Sequence, residues 1–127
     1  MSRDSDAPAP RADTAAADRA AFALLDAIQK DGKTWKELAP RYGVNSPVPP
    51  WKTSLDAMCE CLAAGGALPT LERRRNEDQL GETLYGATPA PERQLLVLVH
   101  ALLSRGLVDE RDLAGRIDIV RSRLGAS

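Results

Sequence analysis

The sequence predicts an all-α fold of five or six helices. Three observations lead there. No segment alternates apolar and polar residues with the period of two that a strand requires. Several windows instead repeat apolar residues at spacings of three and four, the signature of a helix with one buried stripe. The breaks between those windows carry glycine and proline. At 127 residues the chain is sized for one domain, with 43% hydrophobic residues and only 4% aromatic. Its core must therefore rest on Leu, Val, Ile and Ala.

Residues 1–13 hold charge, Ala, Pro and Ser with no large apolar residue after Met1, and are expected to form a disordered tail. A first helix is expected from Thr14 to Lys30, with Ala21, Leu24, Leu25 and Ile28 as its stripe and Asp31-Gly32 as its end. Thr34 to Glu37 fits a capping box opening a short second helix that Pro40 limits. The three prolines between Asn45 and Pro50 predict a stiff extended linker, with Pro50 as first residue of the next helix. That helix carries Trp51, Leu55, Met58 and Leu62 and stops at Gly65-Gly66. Another starts near Pro69-Thr70 and contains Glu72-Arg73-Arg74-Arg75. A loop is expected over Gly81 to Pro91. Pro91-Glu92 then opens a strongly apolar helix with Leu95, Leu98, Val99, Leu102 and Leu103 inward and Gly106 as its cap. A last helix begins at Asp109, with Leu113, Ile117, Val120 and Leu124 as its stripe. The expected organisation is the tail at 1–13, a helical arm and proline-rich linker over 14–50 suited to wrapping a partner, and one compact helical unit over 51–127.

Composition excludes several functions. With 17 Lys+Arg against 18 Asp+Glu, the chain lacks the bulk positive charge of a nucleic-acid binder. TWKELAPRYGV is similar to the opening of a helix-turn-helix, but no basic recognition helix follows it. No apolar run approaches the roughly 18 residues of a membrane span, and no signal-peptide pattern opens the chain, so a cytoplasmic location is expected. Two cysteines and one histidine supply almost no ligands for a zinc site. Cys59 and Cys61 point about 200° apart on a helix, so they cannot chelate jointly, and core or helix contacts are expected of them. His100 lies within the apolar helix and is expected to be a hydrogen-bonded structural residue. Trp35 and Trp51 are expected to be anchors in the core or at an interface. No nucleophile motif or phosphate loop is present, so the chain is not expected to do chemistry alone.

One segment breaks a local rule. Arg73, Arg74 and Arg75 place three cations near the positive end of a helix dipole, with Glu72 to compensate one. Such a run is ordinarily a solvated basic face. Arginine is also the side chain suited to multi-donor recognition of oxyanions.

From Trp51 to Leu124 the chain resembles the N-terminal helical domain of nitrile hydratase β subunits, and among them the β subunit of thiocyanate hydrolases. The matching pieces are Cys59-Glu60-Cys61-Leu62-Ala63, Glu72-Arg73-Arg74-Arg75, Gly81-Glu82-Thr83-Leu84-Tyr85, and Leu102 to Val108, in that order. The resemblance implies a β-type subunit that holds no metal itself. In this family the partner α-type subunit binds Co(III), or less often Fe(III), through cysteines of which two are oxidised to sulfinate and sulfenate. Arginines from the β subunit hydrogen-bond those oxygens, and the resemblance puts them at Arg73 and Arg74. Arg75 is left as a surface or interface salt-bridge residue. Tyr85 matches a tyrosine near the substrate channel and would bind substrate or the interface. A further small β-barrel subunit is implied as a partner, since full-length β subunits continue into such a barrel.

The sequence departs from the family at Pro89-Ala90-Pro91-Glu92-Arg93-Gln94, where members carry a bulky aromatic stretch. A more open pocket suits a bulky nitrile, as in the three-subunit toyocamycin type of nitrile hydratase. The expected complex is thus a heteromeric cobalt nitrile hydratase that hydrates a nitrile to the amide. A thiocyanate hydrolase subunit and a nitrile hydratase activator, which delivers cobalt to the α subunit, are the alternatives. Retained arginines favour a subunit over an activator. A plain helical adaptor is the remaining reading.

Overall fold

The computed structural model describes residues 21–125. The tail expected over 1–13 and the start of the first helix at Thr14 lie outside the described residues. Six α-helices follow in order: α1 Ala23–Asp31, α2 Trp35–Arg41, α3 Lys52–Ala64, α4 Thr70–Glu82, α5 Ala90–Ser104 and α6 Glu110–Gly125. The fold is all-α, with no strand among the described residues. No helix among them is long and apolar enough to cross a membrane.

Helix α5 is the axis of the molecule. Its side chains feed two apolar clusters. Leu96, Val97 and Leu103 join Leu25, Leu80 and Tyr85 in one; Leu98, Ala101 and Leu102 join Leu55, Cys59 and Leu68 in the other. The stripe expected for this helix is therefore too narrow. Leu96, Val97 and Ala101 are buried as well, because neighbours cover the helix on more than one side. In α3 the inward pair is Leu55 and Cys59, while Met58 is 47% exposed, so Cys59 takes the core position expected for Met58. Cys61 is exposed.

Among the described residues, α1 and α2 of the expected arm pack against the unit expected over 51–127. Leu25 of α1 is 1% exposed within the first cluster, with Phe22 and Ile28 against it. Two carboxylates from the larger unit also hold the arm. Glu110 Oε2 accepts the Leu24 N–H at 2.9 Å, and Glu92 Oε2 accepts the Trp35 N–H at 2.6 Å. Each serves an amide in the first turn of a helix whose own N-cap residue makes no side-chain cap. Helix α1 starts at Ala23, with Phe22 extended before it, and ends where Gly32 turns left-handed at φ 68°. Ala21 is therefore not part of its stripe.

The capping box at Thr34 does not form as expected. The Thr34 hydroxyl lies 3.4 Å from Glu37 Oε1 and reaches no helix amide. Glu92 has taken the place of a cap. Thr34→Ala is accordingly expected to cost only a few tenths of a kcal/mol, against about 1 kcal/mol for a working cap. Glu92→Ala should cost about 1 kcal/mol. Urea unfolding of the two variants measures the contrast.

Two other boundaries differ, and one stripe. Trp51 precedes α3 in a turn, with Lys52 N–H on Pro49 carbonyl, so Pro50 stands outside the helix. Helix α4 runs through Gly81 to Glu82 rather than stopping before them. Burial of Leu80 carries it on, and a side chain at Gly81 would come within 3.4 Å of Arg93 Cδ. The stripe expected on α6 is only partly covered: Leu113 packs on the first cluster, whereas Val120 and Leu124 are 50% and 72% exposed.

Candidate functional site

The arginine run sits on α4. Leu68, fully buried, anchors the turn before it, and Pro69 is extended at φ −60°, ψ 146° as the N-cap. The Arg73 N–H closes the first turn on the Pro69 carbonyl at 3.0 Å. Consecutive residues project about 100° apart on a helix, so the three guanidinium groups meet three environments.

Glu72 does not neutralise its neighbours. Its carboxylate reaches across to Arg105, at the end of α5, at 2.7 Å. Arg73 turns inward, with its side chain 20% exposed, and donates from Nη1 to Glu77 Oε2 at 2.8 Å, one turn along. Its Nε is buried without a hydrogen-bond partner. Arg73 also acts on α3. Burial pushes the Cys59 thiol up, and the Arg73 charge opposes that shift. The Lys52 hydrogen bond holds Asp56 below its ordinary value, with a smaller contribution from Arg73. Arg74 and Arg75 are exposed and make no ion pair among the described residues.

The pair expected to act together is thus divided within this chain. Arg73 is committed to Glu77, and Arg74 presents its guanidinium outward. The i,i+4 spacing of Arg73 and Glu77 was open to reading in the sequence. The Glu72–Arg105 bridge was not, since it joins different helices.

Tyr85 stands elsewhere. It is 1% exposed, and its hydroxyl lies 2.7 Å from Nδ1 of His100, itself 1% exposed. Within this chain the Tyr85 hydroxyl is a core group. Burial pushes the Tyr85 phenol well above its ordinary range. Phe22 meets the His100 ring edge-on at 5.0 Å, and Tyr85 meets it similarly at 5.6 Å. His100 has the hydrogen-bonded structural role its position predicts. A cleft of about 590 Å³ opens beside the start of α5, lined in part by Trp35, Trp51, Pro89, Glu92 and Leu95. Among the described residues, no group of three or more His, Cys, Asp or Glu side chains is arranged to hold a metal ion.

Over 77 residues, 60% of its length, the chain is 32% identical to the thiocyanate hydrolase subunit beta of Thiobacillus thioparus. The chain is similar to a β subunit. It spans about half the length of that relative, 49%. No family model matches the chain, and no solved structure matches it.

Proposed function

We propose that this chain is a β-type subunit of a heteromeric enzyme of the nitrile hydratase and thiocyanate hydrolase family, acting in the addition of water to a carbon–nitrogen triple bond. The observation that carries this reading is the 32% identity to a thiocyanate hydrolase β subunit. The α4 geometry supports it: Arg74 is an outward guanidinium with no partner among the described residues, beside Arg73.

On this reading the partner α-type subunit holds cobalt, or less often iron, through oxidised cysteines. A metal ion so held supplies Lewis acidity. Arg74, with Arg73 beside it, hydrogen-bonds the sulfur-bound oxygens across the interface. The chemistry fits the donor set. Guanidinium keeps its proton at any physiological pH and offers several donors in one plane. Sulfinate and sulfenate oxygens buried at an interface need such charge-assisted donors to hold their orientation.

For the reaction itself we propose hydration of a bulky nitrile to its amide. The cleft at Pro89 and Glu92 supports this, because it opens at the segment where the family's aromatic stretch is replaced. A thiocyanate hydrolase subunit is the second reading, favoured by the named relative. Both place this chain beside an α-type subunit and a further small β-barrel subunit.

The test is to co-express the chain with its genomic neighbours, purify the assembly, and measure stoichiometry, metal content and turnover. Stoichiometric incorporation with nitrile hydration is the expected result. Equal or better turnover of thiocyanate would move the assignment to the second reading. Transient association that leaves active enzyme behind would mark a maturation protein, and no association would overturn the subunit reading.

A further inference from the structure

Helix α6 joins the core through its first half. Glu110 accepts the Leu24 amide, and Leu113 packs on the first core cluster. At 1.5 Å per residue, the helix then continues for about 18 Å beyond this anchor. No α6 residue is buried, and Val120 and Leu124 are 50% and 72% exposed.

The exposed half is ordered by chemistry. Leu113, Ile117, Val120 and Leu124 recur at spacings of four, three and four, the seam of a coiled coil. At 100° per residue they occupy an arc of about 60°. Arg116 and Arg123 border that arc on one side and Arg121 on the other, all exposed and none ion-paired among the described residues. Asp118 and Ser122 fall on the far side of the helix.

We infer that this face docks an amphipathic helix of a different polypeptide, one with an apolar seam flanked by Asp or Glu. Charge decides the occupant. A second copy of α6, parallel or antiparallel, would set arginine against arginine along both flanks. Residues 1–20 of this chain contain one large apolar residue, Met1, too few to match a seam of four. The seam is also narrow and without aromatic residues, unlike the wide apolar face with which a helix lies in a membrane surface. An acidic-flanked helix fills the seam and neutralises all three arginines. This inference goes beyond the proposed enzyme complex and does not depend on it.

The experiment uses the full chain and fluorescently labelled synthetic helices of four heptads, with Leu and Ile at the seam and either Glu or Lys at the flanks. Fluorescence anisotropy should show the Glu-flanked peptide binding at least roughly tenfold more tightly than the Lys-flanked one, and losing affinity as salt is raised. The double variant Val120→Asp, Leu124→Asp should lose that binding while keeping its circular dichroism and melting. The triple variant Arg116→Glu, Arg121→Glu, Arg123→Glu should reverse the preference between the peptides. Equal binding of both peptides, or of neither, would overturn the inference. So would binding confined to phosphatidylserine vesicles, or self-association of the chain through this face in sedimentation.

Discussion

Arg74→Lys is expected, on the subunit reading proposed above, to lower turnover of the assembled complex by about one to two orders of magnitude, the usual effect of removing a group that orients metal ligands. The isolated chain should melt as before, because Arg74 is exposed and makes no ion pair among the described residues, and such surface changes stay within about 0.5 kcal/mol. Lysine keeps the charge and loses the fork. A single ammonium cannot hold two oxygens at the angles a guanidinium fixes. The loss should therefore fall on kcat rather than on assembly, which size-exclusion chromatography of the complex would check. Arg73→Lys is the informative companion. Arg73 already spends one nitrogen on Glu77 at 2.8 Å, and a lysine there could keep that ion pair while losing the buried Nε. If activity falls with Arg73→Lys and not with Arg74→Lys, the inward residue is the one that meets the partner. Full activity in both variants would overturn the arginine assignment.

The arginine run was conspicuous in the sequence because it violates a helix-dipole preference, and the structure shows why such a signal is incomplete. A sequence displays that three cations follow one another. It does not display that Glu72 is drawn away to Arg105, or that Glu77 rises one turn later to hold Arg73. Helix identities were legible for the same reason the core was: periodic Leu and Val in α5 can be satisfied only by burial. What periodicity could not show was how many neighbours surround a helix. Leu96 and Val97 are buried because α5 is covered on several sides, whereas Val120 and Leu124 repeat just as regularly and are exposed. The docking of α1 was hidden for a related reason. The prolines between Asn45 and Pro50 suggest separation, yet the contacts that close it are made by Leu25 and by the carboxylates of Glu92 and Glu110, far along the chain. The Tyr85–His100 pair, 15 residues apart across a turn, has no local signature either.

That pair carries the other large effect. Tyr85→Phe keeps the ring and removes the hydroxyl that lies 2.7 Å from His100 Nδ1. Losing a hydrogen bond inside the core is expected to cost about 1–3 kcal/mol in urea unfolding near neutral pH. The pH dependence is more telling. Burial pushes the Tyr85 phenol well above its ordinary value in the folded chain, while the unfolded phenol ionises near 10. The stabilisation from this group is therefore complete below about pH 10. Above it the unfolded chain releases a proton that the folded chain keeps, and stability falls by up to about 1.4 kcal/mol per pH unit. Phenylalanine cannot ionise, so the variant lacks this slope. The gap between Tyr85→Phe and the native chain should narrow as pH rises above about 10. Tyr42→Phe, at a ring that is 72% exposed, is the control for the loss of a phenol as such. Parallel stability–pH curves for the native chain and Tyr85→Phe would mean that the phenol ionises as readily folded as unfolded. Its hydroxyl would then be open to solvent, as a channel-lining tyrosine requires, and not sealed against His100.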